Sequence, residues 1–459
     1  MEALLFSTTE LKSAEQLLFE QSELGHIQSL LPFDELAGLF APYQATGSGG
    51  RSAHLSLKGG LALMFLKHYL DLSDSMLIDR LNSDIYLQLF CFTRINLNCP
   101  IRDKDLPGRW RRFFAQHMDI QKLQAVLAQA WQPHMQHTHV LLDDATCYES
   151  AIRYPTDVKL LFECCEWLDR EVLKASRFYG TALPRRHHYK KLKIKVKKYV
   201  MKKRKTRKEE NSLRRSLLHW LDKWQATLQV LLNHSGTYHE LLHQSFYERL
   251  KTIRIIYQQQ LYMFVHGVRK VPHRIVSLAK PYLRPIIRGK ENKRYEFGAK
   301  VHQSQVDGLN FIEHLSFEAF HEGNRMWYSI AKHKKRFGKC THYGADRIYA
   351  TNKNRRKAKK LGVQTSFLPK GRKPKNYKQQ SKIRKVLSKE RATRLEGSFG
   401  TEKQTYGLRR ILARNELTEV AWIVFGVHTA NVVRLARRQH RHVKAQKQAQ
   451  SNDLLRPAA

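Results

Sequence analysis

Acidic residues are scarce in this sequence. It contains 40 aspartates and glutamates against 82 lysines and arginines, which gives a formal net charge of +42 at pH 7. This imbalance excludes a self-neutralised surface and is typical of proteins that meet a polyanion. Nucleic acid is therefore the leading candidate partner, and an anionic membrane surface is the weaker one.

Cysteine is also scarce, and its placement excludes the usual zinc modules. The six cysteines form neither a CxxC motif nor a Cys/His pattern with the spacing of zinc ligands. We therefore expect small buried thiols in a protein of a reducing compartment.

Long hydrophobic segments are missing as well. The longest apolar stretch, EVAWIVFGVHTANVV, is interrupted by polar residues and is too short to span a bilayer. The first residues, MEALLFSTTELK, contain two glutamates and lack the basic start of a secretory signal. The sequence therefore predicts a soluble, cytoplasmic protein that binds no membrane and, with its positive charge, associates with the nucleoid.

The N-terminal part of the chain, residues 1–130, has a helical pattern throughout. One helix is predicted from about Leu57 to Leu70, and a second after Ser73, which is a suitable N-cap. Two helices joined by a tight turn fit a helix-turn-helix DNA reader, and they equally fit a plain hairpin within a scaffold. Both interpretations stay open at this point.

Strands enter after this helical region. The first is predicted at THVLLDDATCYES, and others at PHRIVSLAKP, on both sides of the turn DGLN, at THYGADRIYAT and at VQTSFLP. Helices at about 382–413 and 416–438 close the chain before a loose tail at 439–459. This mixture predicts an α/β fold with a sheet flanked by helices.

A basic, mostly helical insertion is predicted at about 166–275. Its segment 185–208 contains 14 lysines and arginines and no acid. Such a run is either a solvated helix face or a grip on the phosphate backbone, and the lack of acids favours the grip. The residues predicted to contact DNA in this way are Lys190, Lys191, Lys197, Lys198, Lys202, Lys203 and Arg204.

Carboxylates occur at two predicted strand ends. Asp143 and Asp144 follow the apolar residues of the first strand, and Asp346 follows the short strand in HYGADRIYA. Strand parity does not choose between Asp143 and Asp144, because both faces of the strand are apolar. A metal site, a turn and a solvated edge all fit such a pair.

A third carboxylate, Glu396, begins a spacing of seven residues that continues with Lys403 and Arg410. Seven residues are about two helical turns, so the three side chains are predicted to share one helix face. This pattern fits a metal ligand flanked by phosphate contacts, and it also fits a charged surface stripe. Two Mg²⁺ ions about 3.5–4 Å apart, held by oxygen ligands of this kind, would support phosphodiester chemistry.

At these residues the sequence resembles a known family, the DDE transposases of bacterial insertion sequences. The resemblance runs through five blocks in order and covers nearly the whole chain. The blocks are an InsH-type N-terminal domain ending in LDLSDSMLIDRLNSD, then DATCYESAIRYPTDVKLL, EFGAKVHQSQVDGLNFIEHLSFEAFHEGN, YGADRIYATNKNR and RLEGSFGTEKQTYGLRRILAR.

The resemblance implies a helical N-terminal domain at 1–130 and an RNase H-like catalytic domain at 131–438 that the insertion interrupts. It implies that Asp144, Asp346 and Glu396 hold two Mg²⁺ ions, for which Mn²⁺ could substitute. Lys403 would hold phosphate of the transposon end, with Arg410 predicted beside it. The implied partners are double-stranded DNA, both as transposon ends and as target, and a second copy of the chain in a homodimer.

The sequence departs from the family's pattern just before Glu396. A related signature places an arginine four residues before the glutamate, where this chain has Ala392, flanked by Arg391 and Arg394. The signature also has a tyrosine before that arginine, where this chain has Lys389. Two other functions remain open: a non-catalytic DNA-binding regulator derived from a transposase, and a nuclease on the same core.

Overall fold

The computed structural model describes residues 13–44, 54–233, 237–290, 293–371 and 376–454. These residues form two compact units. The first unit takes in the described residues of Met1–Ser150, Ala299–Ser316 and Phe320–Ala459, and the second takes in those of Ala151–Gly298 and Phe317–Ala319.

The first unit begins with helices, as predicted. They are α1 (Ala14–Gln21), α2 (Glu23–Ser29), α3 (Phe33–Gly38), α4 (Leu57–Leu70), α5 (Asp74–Ser83), α6 (Ile85–Phe90), α7 (Leu106–His117) and α8 (Ile120–Trp131). The predicted bounds of α4 are confirmed. Ser73 caps α5 by accepting a hydrogen bond from the backbone N–H of Met76 at 3.2 Å, so this prediction is also confirmed.

Helix α4 is enclosed by its neighbours. Leu61, Leu63 and Leu66 have no solvent exposure, and the helix packs against α3 and α7. A helix buried in this way cannot lie against DNA, so α4 belongs to the core of the unit. Of the predicted helix pair, α5 keeps an exposed face, on which Asp79 and Arg80 lie.

The strands are β1 (Val140–Ser150), β2 (Pro285–Lys290), β3 (Lys293–Val306), β4 (Leu309–Ser316), β5 (His342–Ala345), β6 (Gln364–Thr365) and β7 (Arg410–Ile411). Five of the six predicted strands form, and two further strands, β2 and β7, were not predicted. The strand predicted at PHRIVSLAKP is wrong, because this segment forms turns and irregular chain. Its His273 has a positive φ of 48°, and Ile275 and Val276 are buried in the second unit instead of pairing in a sheet.

The sheet of the first unit is mixed. Its order is β3, β1, β5, β6, with β4 paired to β3 and β7 to the far end of β1. β1 runs parallel to β5, and β3 runs antiparallel to β4 through the turn at Asp307 and Gly308. Both turn residues have positive φ, 48° and 84°, as a two-residue hairpin requires, so the predicted turn is confirmed.

Helices cover this sheet, which confirms the predicted α/β class. They are α13 (Met326–Phe337), α14 (Asn352–Lys360), α15 (Tyr377–Glu390), α16 (Glu396–Thr405) and α17 (Glu416–Leu454). α15 contacts β5, α16 contacts β1, and α17 contacts β4 as well as α4 and α7. None of the described helices combines the length and apolarity that crossing a bilayer requires.

The helix predicted at about 382–413 is wrong in its extent. α15 ends at Glu390, a π-helical turn occupies Arg391–Leu395, and α16 ends at Thr405. Gly407 then adopts a φ of 69°, which an L-residue rarely adopts, and the chain leaves the helix for β7. Arg410 therefore lies on a strand, paired with Glu149 of β1.

The second unit is mainly helical. It contains α9 (Asp157–Phe178), α10 (His187–Met201), α11 (Arg207–Leu232) and α12 (Gln244–Val265), and β2 pairs there with the first part of β3. α9 packs against α11, and Trp224 and Val196 are fully buried between the helices. The basic insertion is thus built around its own apolar core.

We expect Trp224→Ala to destabilise the second unit by about 3–5 kcal/mol, because the change leaves a cavity among α9, α10 and α11. Amide hydrogen exchange of these helices should report the loss of protection. Ile194→Ala is the matched control, since this side chain is 57% exposed on α10. Equal exchange in the two variants would contradict the packing described.

Candidate active site

The register between β1 and β5 places two of the predicted aspartates side by side. Asp143 pairs with Ala345, so Asp144 and Asp346 are the next residues on two adjacent parallel strands. β1 continues to Ser150, and therefore Asp144 lies within the strand and not at its end as the sequence suggested. Asp346 is exposed directly after β5, where its carboxylate accepts a hydrogen bond from the N–H of Arg347 at 2.5 Å.

Asp143 and Asp144 have different surroundings, because neighbouring residues on a strand face opposite sides. The Asp143 side chain is fully buried, accepts a hydrogen bond from the Tyr343 hydroxyl at 2.8 Å and lies 3.7 Å from His302 Nε2. Burial holds the pKa of Asp143 well above its ordinary value. Asp143 is therefore not part of a solvated edge, and its neighbour His302 is also fully buried.

Arg391 joins the other two predicted carboxylates. Its Nη1 donates to Oδ2 of Asp144 at 2.6 Å and to Oε1 of Glu396 at 2.7 Å. Partial burial opposes the charge of the guanidinium, but Asp144, Glu396 and Asp346 together raise the pKa of Arg391. One cation therefore bridges two of the three carboxylates that the sequence singled out, and the third, Asp346, acts on it electrostatically.

The π-helical turn explains how Arg391 reaches this position. Such a turn closes over five residues, so side chains five apart come to one side of the helix. Arg391 stands five residues before Glu396, one more than the arginine in the related family signature. The sequence alone identified Arg391 only as a neighbour of Ala392, the position at which the signature has an arginine, because no sequence pattern predicts a π turn here.

The pKa of Asp144 is raised to about 6. Burial is the main cause, the Arg391 guanidinium opposes it, and Glu322 and Glu396 add to the increase. Glu322 pairs with Lys300 at 2.7 Å and is a fourth carboxylate near the site that the sequence pattern did not reveal. The stretch EAFHEGN around it has neither a strand end nor a helical spacing to draw attention.

Helix α16 directs two predicted residues towards β1. Glu396 contacts Arg391, and Lys403 Nζ donates to the Thr146 hydroxyl at 2.8 Å. Asp144 and Thr146 are two apart on β1 and therefore face the same side. The predicted common face of Glu396 and Lys403 is confirmed, and its extension to Arg410 is wrong because the helix ends before that residue.

Glu402 holds α16 in this orientation. It is fully buried, accepts a hydrogen bond from the Tyr148 hydroxyl, and accepts another from Asn310 Nδ2 at 2.5 Å. Gln303 Nε2 donates to the same Tyr148 hydroxyl at 2.6 Å. Burial raises the pKa of Glu402. Sequence reasoning missed this residue, since a glutamate beside a lysine in a helix suggests a solvated pair.

The basic residues predicted to bind DNA lie on the surface of the second unit. Lys190, Lys191, Lys197 and Lys198 are exposed on α10, and Lys203 and Arg204 are exposed in the segment that follows it. Lys202 is exposed too and pairs with Glu209 at 2.8 Å. The inner face of α10 carries the buried side chains, so most of its cations remain at the surface; Lys193 is partly buried and pairs with Glu166 at 2.7 Å.

Within the described part of the chain, no three His, Cys, Asp or Glu side chains are grouped closely enough to hold a metal ion. The donor set nevertheless fits a hard divalent cation, because carboxylate oxygens are its preferred ligands. Asp144 and Glu396 already contact one and the same nitrogen atom of a cationic group. A cation between these two carboxylates is thus compatible with the backbone arrangement.

Comparison with known families agrees with this geometry. Residues 344–435 match the family described as transposase DDE domain, and residues 12–113 match the family described as transposase domain (DUF772). The first match includes Asp346, Glu396 and Lys403. No curated protein and no solved structure matches the chain. The resemblance to the DDE transposases of insertion sequences is confirmed by the two matches, and a divalent metal is typical of that family.

The raised pKa of Asp144 makes a prediction for stability. The folded protein holds the proton more tightly than the unfolded chain, so the contribution of Asp144 is most favourable below its ordinary pKa of 3.8 and is lost as pH rises through about 6. Relative to Asp144→Asn, the wild type should lose about 1–3 kcal/mol of unfolding free energy between about pH 4 and about pH 7. Urea unfolding without metal measures this difference, and parallel pH profiles would contradict it.

Proposed function

We propose that this chain, which carries two transposase domains, is a transposase that binds the terminal inverted repeats of its insertion sequence, cuts there and joins the cut ends to target DNA. The observation that supports the proposal most is that the single guanidinium of Arg391 bridges Asp144 and Glu396 and also interacts electrostatically with Asp346. The strand register and the π turn bring these residues together from distant parts of the chain.

The proposed chemistry has two steps on phosphorus. In the first, a water oxygen attacks a phosphodiester at the transposon end, the bond from phosphorus to the 3′ oxygen breaks, and a 3′-OH is freed. In the second, this 3′-OH attacks a target phosphodiester, a new oxygen–phosphorus bond forms, and the displaced 3′ oxygen leaves with a proton. Two bound Mg²⁺ ions, or Mn²⁺, would supply the activated nucleophile and the stabilised leaving oxygen.

The side chains of the site have separate tasks in this proposal. Asp144, Asp346 and Glu396 would hold the cations through their carboxylate oxygens. Before a cation binds, the single positive charge of Arg391 offsets part of the charge of Asp144 and Glu396, which limits their mutual repulsion. Lys403, held by Thr146, presents its ammonium group on the same side and would contact end phosphate.

The remaining parts of the proposal concern architecture and assembly. We assign an RNase H-like core to the mixed sheet and its helices, with residues 1–130 as a DNA-binding domain within the first unit. The exposed cations of α10 would grip duplex DNA, and Arg410, although on β7, is exposed and keeps its proposed DNA contact. A homodimer would pair the two transposon ends, because each end needs its own active site.

Substitution of the carboxylates tests the proposal. Asp144→Asn, Asp346→Asn and Glu396→Gln should each abolish cleavage and joining of labelled end DNA with Mg²⁺ or Mn²⁺ while end binding stays nearly unchanged, because only the metal ligands are removed. Asp143→Asn is the matched control, and it should retain far more activity.

Three results would contradict parts of the proposal. Cleavage without joining by the wild type would indicate a nuclease, and end binding without cleavage would indicate a regulator. Activity that survives Asp144→Asn and disappears in Asp143→Asn would reverse the assignment of the two aspartates.

The grip proposed for α10 predicts a change in salt dependence. Lys197→Gln combined with Lys198→Gln should lower the slope of log affinity for end DNA against log salt by about 0.9 for each phosphate that is no longer neutralised. Arg249→Gln combined with Lys251→Gln is the charge-matched control, since both residues are exposed on α12 of the same unit. Equal slopes in the two double variants would remove the assigned role of α10.

A further inference from the structure

A second acid-free run lies between two of the proposed metal ligands. Residues 347–389 contain 16 lysines and arginines and no aspartate or glutamate. The run begins directly after Asp346 and ends just before Glu390, so it is longer than the run in the insertion. α14 lies within it and belongs to the first unit, which also contains the candidate active site.

The inner face of α14 is tied to the protein by a few specific contacts. Asn354 Nδ2 donates to the carbonyl oxygens of Gly323 and Tyr349, both at 2.8 Å. Trp327 Nε1 donates to Asn354 Oδ1 at 2.9 Å, and Ala358, one turn further, is only 3% exposed. These contacts satisfy the buried amide and hold the helix in one orientation.

The outer face of α14 carries cations alone. Lys353, Arg356, Lys357 and Lys360 stand at positions i, i+3, i+4 and i+7, so they form one stripe along the helix. All four are exposed, and none forms an ion pair with a described residue; Lys357 Nζ lies 4.4 Å from the centre of the Trp327 ring. We call these four residues the α14 stripe.

The length of the α14 stripe matches a DNA strand. Seven residues of helix rise about 10 Å. Phosphates follow each other at about 3.4 Å of axial rise on one strand of a duplex, so the stripe spans roughly three of them. Its four side chains each carry a positive charge, at a spacing close to the rise between phosphates. The stripe therefore fits a contact to the phosphate backbone, which carries no sequence information.

The stripe is held close to the proposed catalytic residues. α14 begins six residues after Asp346, and the short 3₁₀ turn Arg347–Tyr349 fills most of that interval. Tyr349 is fully buried, so the connection is anchored in the core. Arg347 is exposed between Asp346 and the helix and adds one more positive charge.

We infer that the α14 stripe binds the phosphate backbone of the target duplex, the DNA that the freed 3′-OH attacks. The inference rests on the proposed function, because joining brings two duplexes to one set of carboxylates. A transposon end has a defined sequence, and recognition of it needs contacts to bases. A row of exposed cations that begins shortly after Asp346 needs only the phosphates that every duplex presents, so it suits the duplex whose sequence is not selected at this surface.

The test compares two charge-matched triple variants of the full chain. One is Lys353→Gln/Arg356→Gln/Lys360→Gln, which spares the Lys357 contact with Trp327, and the other is Lys190→Gln/Lys197→Gln/Lys198→Gln on α10. Joining of pre-cut end oligonucleotides is measured against plasmid concentration. In parallel, affinities for end DNA and for a duplex of unrelated sequence are measured by fluorescence anisotropy at several salt concentrations.

The α14 triple variant should raise the plasmid concentration needed for half-maximal joining by about tenfold or more, and it should change end affinity and end cleavage less than about twofold. Its salt slope for the unrelated duplex should fall by about 2–3, because about three phosphates are no longer neutralised. The α10 triple variant should instead weaken end binding.

Each other outcome overturns a distinct statement. Loss of end affinity in the α14 variant, with unchanged use of plasmid, assigns the stripe to the transposon end and overturns the inference. If joining and the salt slope are both unchanged, the α14 stripe is a solvated helix face without a DNA contact, and the inference is also overturned. If the wild type joins nothing, the proposed function fails, and the salt slope for the unrelated duplex still decides whether α14 binds DNA.

Discussion

The arrangement of the candidate active site depends on the burial of one carboxylate, Glu402. A glutamate without solvent contact is unfavourable unless hydrogen bonds replace its hydration. Here those bonds come from Tyr148 on β1 and Asn310 on β4, and Gln303 on β3 supports the tyrosine. Because the network joins one helix to three strands, it determines which way α16 faces and therefore where its other polar residues lie.

The orientation of α16 brings two negatively charged side chains close to one positively charged side chain. Glu396 begins α16, Asp144 stands on the strand beneath it, and both are turned towards one guanidinium. Without Arg391, the largely buried Asp144 carboxylate would face that of Glu396 with no cation between them, and their repulsion would oppose folding. The π turn is the structural means by which the arginine arrives there, and this explains why its sequence position differs by one from the related signature.

The positive charge of the chain is not spread evenly either. In the second unit it lies on the exposed side of α10, whose other side contributes Val196 and Tyr199 to an apolar core. In the first unit it lies on the outer stripe of α14, whose inner side is held by Asn354. In both helices burial of one face leaves most of the cations on the other, and each unit therefore has an exposed basic helix face.

Local pattern was enough for a large part of this protein. The bounds of α4 follow from side-chain periodicity, and the cap at Ser73 follows from the hydrogen bond that a serine accepts at a helix start. The hairpin at Asp307 and Gly308 follows from the left-handed conformation that its turn requires. All three depend only on residues that are neighbours in sequence. Asp346, Glu396 and Lys403 were also singled out from residue type and spacing, whereas the choice of Asp144 over Asp143 came from the resemblance to the transposases. The strand register brings Asp144 and Asp346 side by side.

Long-range contacts decided the rest. Three features depend on contacts between residues up to 254 positions apart in the chain. They are the burial of Asp143 and Glu402, the end of α16 before Arg410, and the bridging position of Arg391. No window of sequence contains both partners of such a contact. Sequence therefore determined which residues could perform chemistry, and tertiary structure decided which of them are buried, which are neutralised and which face one another.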